Sequence, residues 1–203
     1  MLVIDACATR TSTVVEHPLA VPLTAPPALQ STPQAFDRPL VPRSGATPHT
    51  DVSLPVPVMI PTDGYAPEPI VWYGSIEIPK IGLVTDLYEG VTLNNIDQGP
   101  SHWTGTAEPG SPGNAVFAGH RVTHSHPFLR IDELEPGDQI IFHVKGLRTV
   151  YTVFDSLVVG PDDTWIANQT PEKVATLYAC HPPGEATQRY VVKAKFTSSA
   201  PDA

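Results

Sequence analysis

The sequence predicts an all-β domain, a sandwich or barrel, preceded by a proline-rich extended segment. Three observations carry this. Prolines crowd toward the start, with 13 of 24 in residues 1–69 and 11 in the other 134. From residue 70 onward the apolar residues come in about seven or eight short runs, bounded by Gly, Pro, Asn or Asp. No alternation of strand with long helix, the mark of a parallel α/β sheet, is present.

Residues 1–69 hold only two aromatics, Phe36 and Tyr65. Proline fixes φ and lacks an N–H, so this stretch builds neither long helices nor central strands. It reads as an extended, partly polyproline-II spacer without a core of its own. Its apolar part, Leu54-Pro55-Val56-Pro57-Val58-Met59-Ile60, is placed to lie against the domain. Residues 70–203 fall in the commonest size range for one domain. Within them, residues 75–78 alternate up to Pro79 and read as a strand, residues 82–88 as a second, and residues 92–98 as a short helix. Residues 99–113 form a Gly/Pro loop. Residues 114–118 are an apolar run expected as a buried strand. Residues 128–134 suggest a short helix stopped by Pro136-Gly137. Residues 139–144 and 149–159 are strands around Lys145-Gly146, and residues 175–180 and 189–196 complete the set.

The totals exclude several functions. A net charge of −9 with no Lys/Arg run is the wrong surface for nucleic acid. No stretch approaches the 18 or so apolar residues of a membrane helix. The start carries Asp5 and no basic region, so it reads as a poor signal peptide; either export takes another route or the sequence begins downstream of its leader. Two cysteines, Cys7 and Cys180, are too few for a disulfide framework and are not expected to pair.

Three positions can carry chemistry. His120 follows the apolar run 114–118, Cys180 closes the strand Thr176-Leu177-Tyr178-Ala179-Cys180, and Arg189 opens the last strand. Alternation puts Thr176, Tyr178 and Cys180 on one face, and Arg189 with Val191 and Lys193 on one face. A thiol is a strong nucleophile as thiolate. An imidazole can hold it as an ion pair and protonate a leaving amine. A guanidinium can stabilise an oxyanion. Together they specify acyl transfer through a thioester. Two bland or rival readings stand beside this. His120, His124, His126 and His181 offer imidazoles for zinc, but the first three sit in a loop without a second ligand pair of zinc spacing, so no metal and no cofactor are expected. The acids Asp132, Glu133, Glu135 and Asp138 read as a charged helix end, since they lack a glycine-centred calcium loop.

Residues 72–196 resemble a sortase, one of the cysteine transpeptidases of Gram-positive cell surfaces. Gly113-Asn114-Ala115-Val116-Phe117-Ala118-Gly119-His120-Arg121 is similar to the segment ending in the family's catalytic histidine. Thr176-Leu177-Tyr178-Ala179-Cys180 is similar to its Thr-Leu-x-Thr-Cys signature, and Arg189, nine positions on, matches its arginine. Residues 99–107 and Cys180-His181-Pro182 resemble class E sortases of high-GC actinobacteria. The resemblance implies an eight-stranded β-barrel with His120, Cys180 and Arg189 as catalytic residues. It implies substrate contact at Trp103, where class E members typically carry tyrosine, and at Ala179, where the signature has threonine. It implies cleavage of the Thr–Gly bond of a Leu-Ala-x-Thr-Gly or Leu-Pro-x-Thr-Gly sorting signal. The protein would then pass to an amine of a cell-wall precursor such as the lipid II peptide, or to a pilin lysine. Location at the surface of a Gram-positive bacterium follows, with the proline-rich segment as a stalk from the membrane anchor usual in the family, though no anchor is visible in the chain. The alternatives are a degenerate sortase-like module that binds surface proteins without turnover, favoured by Ala179, and an L,D-type cell-wall transpeptidase, disfavoured because its Ser-x-Gly-Cys signature is absent around Cys180.

Overall fold

The computed structural model describes residues 53–202. Cys7 and most of the expected spacer, residues 1–52, lie outside the described residues. Eight strands close into a barrel: β1 (Val71–Ile78), β2 (Leu83–Glu89), β3 (Ser101–His102), β4 (Gly113–Ala118), β5 (Gln139–Val144), β6 (Leu147–Val159), β7 (Lys173–His181) and β8 (Gln188–Pro201). Their order around the barrel is β1-β2-β3-β4-β7-β8-β6-β5. The predicted strands are all present, β8 runs on to Pro201, and the two-residue β3 is added inside the Gly/Pro loop. Helix α1 (Leu93–Ile96) fills the first predicted helical stretch. The second, residues 128–134, holds only a 3₁₀ turn at Ile131–Glu133. A run that short, hemmed by Pro127 and Pro136, cannot offset the cost of nucleating a helix. Among the described residues no helix is long and apolar enough to cross a membrane.

Two pairings, β2 with β3 and β4 with β7, are parallel. The sequence showed no sign of them because the crossover from β4 to β7 is made by strands β5 and β6 rather than by a helix. The β4–β7 pair is the centre of the molecule. Every residue of β4 is buried, and so are residues 174–180 of β7. One face of these strands, with Ala115, Phe117, Leu177 and Ala179, meets Ile76, Phe142 and Tyr151 inside the barrel. There Phe117 stacks on Phe142 at 4.8 Å, and Tyr151 meets Phe142 edge-on. The opposite face, with Val116, Ala118 and Tyr178, is covered from outside by Trp103, Ile166 and Val159. Burial on both faces explains why these runs are continuously apolar rather than alternating.

Two polar braces hold the loops to the barrel. At the first, His102 Nδ1 lies 2.8 Å from Glu89 Oε2 and its Nε2 lies 3.0 Å from the Ala107 carbonyl. Burial alone would raise the Glu89 carboxyl, but the hydrogen bond and charge of His102 outweigh it and hold the group below its ordinary value. At the second, Arg121 is buried, its Nη2 2.6 Å from Asp132 Oδ2 and its Nη1 2.7 Å from His181 Nδ1. It ties the loop after β4 to the end of β7. The other acids near Asp132 are paired too: Glu133 with Arg130, and Glu135 and Asp138 with Lys80.

Each brace makes a prediction. A depressed carboxyl adds stability that is present in full above its ordinary value of 4.5 and lost as the pH falls through the lowered folded value. Glu89→Gln therefore flattens the acid limb of a plot of unfolding free energy against pH, measured by urea titration. Asp132→Ala takes the carboxylate from a buried guanidinium that keeps His181 and the Leu129 carbonyl as partners, and lowers stability by about 2 kcal/mol. Glu133→Ala, at a solvent-exposed pair, leaves the melting temperature close to that of the parent.

Candidate active site

Cys180 and Arg189 face each other across the antiparallel β7–β8 ladder, two residues from the pair Tyr178–Val191. Directly opposed residues share a face, so both side chains stand on the outer face of the barrel. His120 lies two residues beyond β4. The Gly119 N–H donates to the Tyr178 carbonyl at 3.1 Å, which carries the β4–β7 pairing to the residue before His120. Gly119 itself is required: a Cβ there would sit 2.5 Å from a ring carbon of Phe128, whose N–H bonds the His120 carbonyl at 3.0 Å. His120, Cys180 and Arg189 thus line one cleft with Ile96, Tyr178 and Ala179. All three are buried, and Cys180 is a free thiol. The Ala179 side chain belongs to the barrel interior, as strand alternation requires of a neighbour of Cys180, and bounds this cleft from below.

The surroundings set the chemistry. His120 Nε2 lies 2.7 Å from Oδ1 of Asp97, the residue that ends helix α1. That carboxylate occupies one ring nitrogen and leaves Nδ1 as the nitrogen available for proton transfer. The guanidinium of Arg189 donates from Nη1 to the carbonyls of Ala186 and Gln188 at 2.9 and 2.8 Å, which fixes its fork beside Cys180. Burial pushes the Tyr178 phenol far above its ordinary range, so it is a neutral wall of the cleft. The histidines weighed as a zinc set are dispersed in part. His181 is bonded to Arg121, and His126 Nδ1 turns to the His124 carbonyl at 3.1 Å. His124 stays, stacked on His120 with ring centres 4.8 Å apart.

The outer face continues from the cleft as a groove of about 580 Å³. Trp103, Tyr178 and Arg189 line its floor, and the β6–β7 loop (residues 160–168) forms one wall. The other wall is the apolar segment expected to lie against the domain. The Val58 N–H donates to the Thr104 carbonyl at 2.9 Å, and the Trp103 indole N–H donates to the Val58 carbonyl at 2.7 Å. Gly105 makes room for this strap, since a Cβ there would lie 2.3 Å from the Val56 carbonyl oxygen. Met59 remains exposed at the rim. Asp97 and Arg121 were not singled out from sequence. Arg121, a charge directly after an apolar run and His120, carried a signal; Asp97, 23 residues from its histidine, carried none.

The family model for the Sortase domain matches residues 76–197. The chain is 30% identical to sortase SrtE1 of Streptomyces coelicolor over 150 residues, which cover 66% of this chain and 43% of that protein, less than half its length. Among solved structures it is similar to sortase E1 from Streptomyces coelicolor with a tripeptide in the active site (27% identity, TM-score 0.61, 64% of this chain and 91% of that one). It is also similar to a Clostridium perfringens sortase D5 transpeptidase (35% identity, TM-score 0.58, 63% and 79%). With the barrel, the motif blocks and these relatives in agreement, the chain belongs to the sortase family and is class E-like.

Proposed function

We propose that the protein is a cysteine transpeptidase acting on sorting signals of the Leu-Ala-x-Thr-Gly or Leu-Pro-x-Thr-Gly type at a Gram-positive cell surface. The observation that carries this reading is the β7–β8 register, which opposes Cys180 to Arg189 in the cleft that also holds His120. The Cys180 thiolate attacks the carbonyl carbon of the Thr–Gly bond, forming the C–S bond. Arg189 faces the oxyanion of the tetrahedral intermediate. The C–N bond then breaks, and the glycine amine leaves with a proton from His120 Nδ1. Asp97 keeps the ring oriented as a positioning residue. An acceptor amine, from a peptidoglycan precursor or a pilin lysine, attacks the thioester, returns a proton to His120 and releases the thiolate. The sorting peptide lies extended in the groove between the strap and residues 160–168, against Trp103 and over the cleft bounded by Ala179. A tripeptide in the active site of the Streptomyces coelicolor relative supports a peptide at the corresponding place.

The test is incubation with a Leu-Ala-x-Thr-Gly peptide and an oligoglycine amine. The expected results are a ligated product, a hydroxamate when hydroxylamine replaces the amine, and loss of both in Cys180→Ala. Peptide binding with neither product would instead identify a module that holds surface proteins without turnover. A second prediction concerns the groove wall. Trp103→Phe removes the indole N–H that holds the strap, and a lost hydrogen bond of roughly 1 kcal/mol corresponds to about a fivefold rise in KM for the peptide, with kcat near the parental value.

A further inference from the structure

His124 has no part in the acyl transfer just described, yet it is folded back onto the catalytic histidine. Its backbone is left-handed, with φ 53°, a conformation that costs energy in a residue with a side chain. Its Nδ1 lies 3.4 Å from the same Asp97 Oδ1 that meets His120 Nε2 at 2.7 Å. The three donor atoms come from two chain stretches, the end of α1 and the loop after β4, and all lie within 4.8 Å of one another. Two imidazoles and one carboxylate with an open fourth position are a donor set that zinc favours. Zinc bonds of roughly 2.0–2.1 Å in a tetrahedron put ligand atoms about 3.3–3.4 Å apart. The Asp97–His124 edge already has that spacing, the Asp97–His120 edge opens by about 0.6 Å, and the His120–His124 edge, now within 4.8 Å, closes by up to about 1.4 Å on the same geometry. His120 and Asp97 are largely buried, whereas the His124 side chain is 46% exposed, so an ion can enter from the His124 side.

We propose that Asp97, His120 and His124 form a binding site for a zinc-type divalent cation, and that its occupancy arrests transpeptidation. The ion takes the Nε2 lone pair of His120, and the proton that would sit there passes to solvent. The ring then cannot become an imidazolium, and the Nδ1–H of a metal-bound neutral imidazole is too weak an acid to protonate the leaving glycine amine. Cys180 is not needed as a ligand. The binding half stands on the geometry alone; the arrest rests on His120 being the catalytic acid.

The experiment is calorimetric titration of the whole protein with zinc chloride, paired with the transpeptidation assay. The parent is expected to bind one zinc ion and lose activity, which a chelator restores. His124→Ala keeps its basal activity but loses zinc affinity by more than the roughly 10–100-fold that loss of an outer partner costs a metal site, and escapes inhibition. Cys180→Ala binds zinc as the parent does. Equal affinity in His124→Ala, or loss of binding in Cys180→Ala, would overturn the site. Binding that requires His124 but leaves transpeptidation unchanged would overturn the arrest. Should the parent prove inactive on every sorting peptide, the calorimetric comparison still decides the site.

Discussion

The parallel pairing of β4 with β7 is the constraint on which the rest of the molecule depends. Because both strands are buried on two faces, the barrel must supply an interior core and a second apolar layer outside it. The interior layer, built on Phe117, Phe142 and Leu177, holds the strands in place. The exterior layer, built on Trp103, Ile166 and Tyr178, does not close over them completely, and the gap is the groove. The same pairing runs on through Gly119 and sets His120 beside the end of β7, while the β7–β8 ladder sets Arg189 opposite Cys180. Geometry at the site is therefore inherited from strands, the stiffest parts of the fold, and not from loops.

Around that frame, buried charge is consistently tied down. Arg121 is held between Asp132 and His181, His120 by Asp97, and Arg189 by carbonyls of its own strand entry. Unpaired burial of any of these groups would be costly, so each partner restricts a loop as well as a side chain. The loop after β4 is the clearest case: Phe128 fills the space over Gly119, and Arg121 pins the loop to β7, leaving His124 as the residue turned toward the solvent side of the cleft.

Much of this was legible in the chain. Short apolar runs between turn residues located the strands, since burial and period are local properties. Strand alternation placed Tyr178 with Cys180, and Arg189 with Val191, on the faces they occupy. The family blocks added the order His120, Cys180, Arg189. What stayed hidden was non-local. The parallel crossover has no local signature when strands make it. Asp97 meets His120 only because α1 packs beside the end of β4, and no spacing rule links them. The 3₁₀ turn at Ile131–Glu133 looked like a helix because its apolar spacing fits one, and only its length and flanking prolines argue otherwise. The contact of residues 54–60 with the domain was foreseeable from their hydrophobicity, but its anchor, an indole N–H on the Val58 carbonyl, was not.

That anchor has a practical consequence. Val58 is held at the groove, whereas β8 ends at Pro201, paired with Leu147, a full strand length away from Arg189. Pro55, three residues before Val58, lies against Gly113, whose partner on β7 is Lys173, so the strap runs along the outside of the β4–β7 pair from that end toward Arg189. A purification tag or reporter domain joined at residue 53 therefore sits toward the Gly113 end of the groove, away from Cys180. The same group joined after Pro201, beyond the Val174–Lys195 pair, sits at that end too, so either attachment leaves Cys180 clear.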